Sequence, residues 1–144
     1  MVELQATADF DTLRRLGVAA GLEPGIVPGV EALAGWTAVE DGRVVGGVML
    51  ERLDGRLLVG WLWVDPRFRR RGLGGRLVET VVDAARRRGA GILWATARVP
   101  AVFLRHGFEP VPPGPDHDRL LGTCLECAQR GSTCHPVPVA RRLV

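Results

Sequence analysis

The chain has 144 residues, of which 47% are hydrophobic and 24% are charged, and this composition predicts a single soluble globular domain covering residues 1–144. No apolar run approaches the length of a membrane span. The N-terminus carries Glu3, Asp9 and Asp11 where a leader would be basic and apolar, so we expect a cytoplasmic protein without a membrane partner. The net charge of +3 is mild and does not favour nucleic-acid binding.

The N-terminal third predicts a strand followed by a helix. Residues 2–6 alternate as in a short strand, and Asp9 or Thr7 is placed to cap a helix that ends near Ala20. A proline-containing loop then precedes a short helical piece predicted over residues 30–34.

Two Asp-Gly pairs predict an antiparallel meander. The pairs at 41–42 and 54–55 each lie between apolar runs, and Asp-Gly suits a tight type I′ turn. The three strands that they separate are predicted over residues 36–40, 43–51 and 56–64.

The second half predicts a main amphipathic helix over residues 72–88 and a buried strand over residues 92–97. A strand–helix–strand order implies that this strand is parallel to the last strand of the meander. The remaining elements are a short helix, a strand, a proline-rich break, a Cys-bearing loop and a final strand, over residues 101–106, 108–111, 112–115, 116–136 and 137–143. The expected fold class is α/β (α+β), with a mixed central sheet of about six to seven strands and helices on both faces.

A basic, glycine-rich loop joins the meander to the main helix. It reads Arg69-Arg70-Arg71-Gly72-Leu73-Gly74, and no Ser, Thr, Asp or Asn follows that would cap the helix. The first backbone N–H groups of the helix are therefore free to bind an anion, which the helix dipole also favours. The alternative is an arginine-rich surface turn before an ordinary helix.

This loop resembles the acetyl-CoA pyrophosphate loop of the GNAT family of N-acetyltransferases. The string Ala-Val-Phe-Leu-Arg-His-Gly-Phe-Glu-Pro-Val over residues 101–111 is similar to the short helix and Gly-Phe strand of that family, and the element order also agrees. The resemblance implies the GNAT fold, in which a splayed parallel pair of strands encloses the cofactor cleft. It also implies an acyl-CoA-dependent N-acetyltransferase, with acetyl-CoA as cosubstrate.

The resemblance further implies direct attack of a primary amine on the thioester, through a tetrahedral intermediate. A backbone N–H of Leu62, Trp63 or Val64 would stabilise the oxyanion. Phe103 stands where many members have a Tyr that protonates the leaving sulfur, so its expected role is packing against the pantetheine arm. The complete set of cofactor-binding residues implied in this way is Leu62, Trp63, Val64, Arg69, Arg70, Arg71, Gly72, Leu73, Gly74, Gly75 and Phe103.

Candidate acceptor residues lie on neighbouring strands. Glu51 could bind or deprotonate the acceptor ammonium; the alternative is a solvated carboxylate paired with Arg52 or Arg43. Arg52, Arg98 or Arg105 could bind an acceptor carboxylate; Arg98 is the preferred candidate, and the alternative is that it is a solvated loop residue.

The Gly-Phe strand, the proline-rich break, the Cys-bearing loop and the Val-rich final strand loosely resemble short N-acetylglutamate synthases. The strings Gly-Leu-Glu-Pro-Gly over residues 21–25 and Ala-Thr-Ala-Arg-Val-Pro-Ala-Val-Phe over residues 95–103 loosely resemble the enzymes that acetylate arsinothricin or phosphinothricin. Both resemblances imply a small, glutamate-like acceptor. The alternative function is a catalytically weak acetyl-CoA sensor or partner-binding module.

The C-terminal cysteines allow three interpretations. Cys124, Cys127, Cys134 and His135 supply four potential zinc ligands, and His117 could replace one of them. The alternatives are reduced packing thiols or a disulfide. Exposed strand edges would allow a homodimer.

Overall fold

The computed structural model describes residues 2–22, 28–121 and 136–144, which form a mixed seven-stranded sheet with helices packed on it. The strands are β1 Glu3–Thr7, β2 Glu31–Glu40, β3 Arg43–Leu53, β4 Arg56–Val64, β5 Ile92–Ala97, β6 Glu109–Pro110 and β7 Val137–Arg142. The helices within these ranges are α1 Phe10–Ala19, α2 Leu73–Arg87, α3 Pro100–Arg105 and α4 Pro115–Leu121. None of them is long and apolar enough to cross a membrane.

The strand order is β1-β2-β3-β4-β5-β7-β6, and β4 and β5 run parallel because α2 carries the chain back between them. Their pairing extends only from Leu57–Leu93 to Val59–Ala95, although β4 continues to Val64. The two strands therefore separate beyond Val59 and open a cleft at their carboxyl ends. This arrangement, together with the antiparallel meander β2-β3-β4, confirms the predicted fold class.

Two adjacent glycines of β3 show that α1 and α2 cover opposite faces of the sheet. A Cβ on Gly46 would lie 3.3 Å from Leu77 of α2, and a Cβ on Gly47 would lie 3.0 Å from Leu13 of α1. Successive strand residues point to opposite faces, so the two helices lie on opposite sides. The larger core lies between the sheet and α2, whose residues Leu77, Val78, Val81 and Val82 are fully buried.

The short helix predicted over residues 30–34 is wrong, because this segment forms the start of β2. It pairs with β3 in a register that runs from Glu31–Arg52 to Glu40–Arg43. A register shift between Ala32 and Ala34 breaks the alternation of side chains, which hides the strand signal in the sequence. The hydrogen-bond ladder to β3 outweighs the helix propensity of Ala and Leu.

The loop predicted over residues 116–136 begins instead with helix α4. Pro115 opens this helix, Asp116 and Asp118 lie in its first turn, and Leu120 and Leu121 are buried. Both leucines give the segment an apolar face, which stabilises a helix against the sheet. The predicted strand at residues 108–111 is reduced to Glu109–Pro110, since Pro110 has no N–H for a longer ladder.

Candidate active site

Asp65 holds the turn that follows β4. Its Oδ1 accepts a hydrogen bond from the backbone N–H of Arg67 at 2.9 Å, and its Oδ2 pairs with the Arg67 guanidinium at 3.1 Å. The hydrogen bonds from Arg67 hold the pKa of Asp65 below its usual value. A 3-10 turn over Pro66–Phe68 leads into the glycine-rich loop. Arg67 is thus paired with Asp65. The next three arginines, Arg69, Arg70 and Arg71, are exposed.

Gly72 begins α2 without a side-chain cap. It is the N-cap residue at φ +76°, a left-handed conformation that glycine adopts at little cost. No side chain hydrogen-bonds to this end of the helix among the described residues, and the first turn contains no acidic residue. The loop therefore presents N–H groups of a helix N-terminus next to Arg69, Arg70 and Arg71, which is the arrangement of an anion site.

Gly74 and Gly75 have different neighbours in the first turn of α2. A Cβ on Gly74 would lie 3.4 Å from Val102 on α3, which is close to ordinary contact. A Cβ on Gly75 would lie 2.2 Å from Nε2 of His106, so a side chain there would force His106 to shift. The packing of His106 on α2 therefore favours glycine at this position. Its contact with a cofactor, like those of Leu73 and Gly74, stays a prediction.

His106 belongs to a polar cluster that ties the end of α3 to α2 and β7. Its Nδ1 lies 2.8 Å from Oε2 of Glu79, which also accepts a hydrogen bond from Arg141 at 2.9 Å. Burial acts to raise the pKa of Glu79, but the hydrogen bonds and charges of His106 and Arg141 outweigh it, so the pKa is lowered. This cluster fixes α3 at the wall of the cleft.

β4 contains a β-bulge at the point where it leaves β5. Gly60 pairs with Met49 and Trp63 pairs with Gly47, so two residues of β4 stand opposite one residue of β3. Trp61 has φ +53°, a rare conformation for a non-glycine residue. Such bulges leave backbone groups outside the ladder and occur next to active sites. Leu62, Trp63 and Val64, the predicted oxyanion donors, thus lie at or just after this bulge.

Glu51 is a buried carboxylate at the apex of the cleft. Its side chain lies over Gly60, where a Cβ would come within 1.9 Å of Oε1, and Gly60 is the first residue of β4 beyond its pairing with β5. The residue is only 8% exposed. Burial raises the pKa of Glu51, while the charge of Arg14 and a hydrogen bond from Trp61 act in the opposite direction.

The alternative interpretation of Glu51 as a solvated carboxylate is wrong. Arg52 points to the other side of β3 and pairs with Glu31 at 3.1 Å. Arg43 lies at the far end of the same strand. The sequence alone does not reveal that Glu51 is buried. Its carboxylate fits because Gly60 has no side chain, and Gly60 is two residues further along β4 than Leu58, the residue that pairs with Glu51.

Arg14 and Trp63 were not predicted as polar site residues. Within the described part of the chain, Nε of Arg14 and Nε1 of Trp63 are buried without a hydrogen-bond partner. Both side chains belong to the face of the sheet that α1 covers, where the charge of Arg14 acts on Glu51. Buried donors of this kind are costly and are usually satisfied by water or a ligand. In the sequence, Arg14 resembles any charged residue on an exposed helix face.

Phe103, in α3, and Arg98, just after β5, lie on the side of the cleft that faces β4. Phe103 is buried and packs edge-to-face on Phe108 with ring centres 5.1 Å apart. Its contact with pantetheine stays a prediction, and the α3 residue that faces Gly74 is Val102. Arg98 donates a hydrogen bond to the carbonyl of Gly21, so it connects the end of β5 to the segment after α1.

The predicted metal ligands Cys124, Cys127, Cys134 and His135 lie outside the described residues. His117 is described, and its Nδ1 lies 3.5 Å from Oδ1 of Asp118. Across residues 2–22, 28–121 and 136–144, no group of three or more His, Cys, Asp or Glu side chains could hold a metal ion.

Comparison with protein families assigns the fold and cleft to a known class. Residues 23–108, more than half of the chain, match the model of the acetyltransferase (GNAT) family. The chain belongs to the GNAT acetyltransferase family. It is an acyl-CoA-dependent N-acyltransferase, as its resemblance at the loop over residues 69–74 implied. No curated protein matches the sequence.

Solved structures with the same fold act on varied acceptors. N-acetylglutamate synthase from Neisseria gonorrhoeae, complexed with coenzyme A and N-acetyl-glutamate, has a TM-score of 0.67 and 19% identity; the match covers 100% of this chain and 35% of that one. This chain thus spans about a third of that synthase. The ribosomal-protein-S18-alanine N-acetyltransferase from Escherichia coli has a TM-score of 0.69 and 16% identity, covering 99% and 94% of the two chains. An acyl-CoA N-acyltransferase from Pseudomonas aeruginosa has a TM-score of 0.66 and 18% identity, and the match covers 98% of this chain and 99% of that one.

Proposed function

We propose that this GNAT protein transfers the acetyl group of acetyl-CoA to the primary amine of a small, glutamate-like amino acid. The observation that carries the proposal is the uncapped N-terminus of α2 at Gly72, which opens beside three exposed arginines where β4 and β5 separate. Such a site fits a pyrophosphate. The separated strands provide room for the arm that extends from it.

The residues present fit acetyl-CoA. The N–H groups from Arg70 to Gly74 would bind the pyrophosphate, since the N–H of Arg69 donates to the carbonyl of Pro66 at 3.4 Å. The side chains of Arg69 and Arg71 would add charge. The edge of β4 from Gly60 to Trp63, which β5 leaves unpaired, would pair with the amides of the pantetheine arm. The carbonyl of Val64 accepts a hydrogen bond from Nε of Arg69 at 3.3 Å. Bound there, acetyl-CoA supplies an activated acyl group on a good leaving thiol.

Glu51 is the proposed general base and ammonium-binding group. A carboxylate accepts a proton from an ammonium more readily when its pKa is raised, and burial raises the pKa of Glu51. The backbone N–H of Leu62, in the bulge of β4, would stabilise negative charge on the thioester oxygen.

Phe103 has no proton to donate, and the chain contains no Tyr. A thiol with a reference pKa of about 8.5 can leave as the thiolate, so an acid is not essential.

Arginine side chains near the acceptor side support an anionic acceptor. The charge of Arg14 acts to lower the pKa of Glu51, although burial raises that pKa overall. Nη1 of Arg14 pairs with Asp11 at 3.2 Å, whereas its buried Nε has no partner among the described residues. Arg98 reaches the segment after α1 from the other wall. An amino acid bound between these walls would place its ammonium at Glu51 and its carboxylate at Arg14 or Arg98. The similar fold of a structure complexed with N-acetyl-glutamate is consistent with this class.

The second candidate function is a weakly active acetyl-CoA-binding sensor. Phe103 favours it, because the side chain that faces the leaving group in many relatives is here a buried phenyl ring.

Thiol release from acetyl-CoA, measured with a panel of amino acids, distinguishes the two functions. We expect turnover with glutamate or a close analogue, and a kcat about 100-fold lower for Glu51→Gln with little change in the KM for acetyl-CoA. Glu40→Gln, on the far hairpin, is the matched control. Tight acetyl-CoA binding without turnover on any amine would instead support the sensor.

A further inference from the structure

A second cavity lies at the end of the sheet opposite the cleft. It has a volume of about 600 Å³, within the range of small-molecule sites. It opens between the hairpin turn of β3 and β4 and the turn from α2 to β5. Its lining residues are Arg52, Gly55, Arg56, Leu57, Arg88, Gly89, Ala90, Gly91, Ile92 and Trp94.

All charged residues in the lining are arginines. The acidic partners of Arg52 and Arg56 are Glu31 and Asp116, and neither acid lines the cavity. Glu31 and Asp116 therefore balance the charges of Arg52 and Arg56 from outside the lining, and Arg88 is the cation of the lining without an ion pair among the described residues. The carbonyl end of α2 also lies here and opposes an anion, so binding must come from the guanidinium groups.

The arginines stand on two sides of the cavity. Arg52 and Arg56 flank the hairpin turn, whereas Arg88 follows α2. The Arg56 guanidinium lies over the ring of Trp94, 5.1 Å from its centre, a cation–π contact that favours this position of the side chain. A ligand with two anionic groups could contact both sides at once, as guanidinium groups form paired hydrogen bonds with phosphate and carboxylate oxygens.

We propose that this cavity binds a small polyanion, bearing at least two phosphate or carboxylate groups, between Arg88 and the pair Arg52 and Arg56. The site is separate from the glycine-rich loop. That loop lies at the N-terminus of α2 and the cavity at its C-terminus, and 15 helical residues span about 22 Å.

Calorimetric titration of the full chain with inorganic triphosphate, and separately with citrate, tests the site. Both titrations use wild type and Gly74→Asp, since the latter places a carboxylate in the glycine-rich loop and repels anions there. We expect binding by both proteins, and about tenfold weaker binding by Arg88→Gln and by Arg52→Gln. Arg87→Gln, an exposed neighbour outside the lining, should bind as wild type does.

The two probes separate the sources of the anion. Binding of triphosphate alone supports a phosphorylated ligand, and binding of citrate alone supports a polycarboxylate. The proposal is overturned if neither anion binds below about 10 mM. It is also overturned if Gly74→Asp abolishes binding while Arg88→Gln retains it, or if Arg87→Gln weakens binding as much as Arg88→Gln does.

Discussion

Replacing Gly74 by Asp tests whether the start of α2 binds a pyrophosphate. The change adds a carboxylate within the first turn, directly in the proposed anion site. A carboxylate about 5 Å from one phosphate charge is repelled by about 3 kcal/mol at an effective dielectric constant of about 20. Salt and solvent reduce this, so we expect acetyl-CoA to bind about 10- to 100-fold more weakly.

The same substitution should not unfold the protein. Among the described residues, a Cβ at Gly74 would meet Val102 at 3.4 Å and Val64 at 3.9 Å, so the side chain has room. An acidic residue in the first turn of a helix stabilises it by about 0.3–1 kcal/mol. Stability should therefore rise while affinity falls, and these opposite signs separate lost binding from lost folding.

Gly74→Ala is the matched control, because it adds the Cβ without the charge. Calorimetry with acetyl-CoA should give an affinity within about threefold of wild type, and thermal unfolding should show a higher Tm, since Ala exceeds Gly in helix propensity by up to about 1 kcal/mol. If Gly74→Asp binds acetyl-CoA as wild type does, the start of α2 is not the pyrophosphate site. If Gly74→Ala loses affinity equally, sterics rather than charge explain the loss.

Four further substitutions test two carboxylates and the contact between Gly75 and His106 by chemical denaturation. Folding raises the pKa of Glu51, so the ionised carboxylate lowers the free energy of unfolding once the pH exceeds the ordinary pKa of a glutamate, near 4.5. Glu51→Gln should therefore be more stable than wild type at pH 8, and the difference in stability should be smaller at pH 4. A stabilisation that does not grow with pH would contradict this. Folding lowers the pKa of Glu79, so Glu79→Gln should cost about 1 kcal/mol at pH 7, after allowance for solvent screening, and the cost should fall as acid protonates the native carboxylate. Gly75→Ala should cost about 1–3 kcal/mol by collision with His106, and His106→Ala should remove that cost in a double-mutant cycle; additive effects would refute the contact.

The sequence predicted those elements whose signals are local. Asp41-Gly42 and Asp54-Gly55 mark hairpin turns by themselves, and the apolar stripe of α2 needs no knowledge of its partner. Asp9 caps α1 as expected, accepting a hydrogen bond from the backbone N–H of Thr12 at 3.1 Å. The two turns, the apolar face of α2 and the cap of α1 each depend on residues that are close together in the sequence.

Features that depend on pairing between strands were missed or left open. Residues 30–34 become a strand only because β3 lies beside them. Glu51 is buried because Gly60 leaves space, and the phase of β4 changes at Trp61 because two residues stand opposite one. Arg14 joins the site through the packing of α1 on the sheet. Such relations arise from register, which a single sequence does not encode locally.

The bulge in the middle of β4 brings together the proposed base, Glu51, and the proposed oxyanion donor, the backbone N–H of Leu62. Gly60 makes room for the Glu51 carboxylate, and the next residue, Trp61, adopts a left-handed φ that shifts the strand by one position. In a regular strand, neighbouring residues face opposite sides of the sheet. Without the bulge, Gly60 could therefore not share the face that α1 covers with Trp61 and Trp63. A Cβ on Gly17 of α1 would lie 3.2 Å from Trp61 and 3.7 Å from Trp63, so packing against this helix holds the shifted phase. The tryptophan contacts thus offset the strain of the bulge, and they place the proposed base and the proposed oxyanion donor on neighbouring parts of one strand pair.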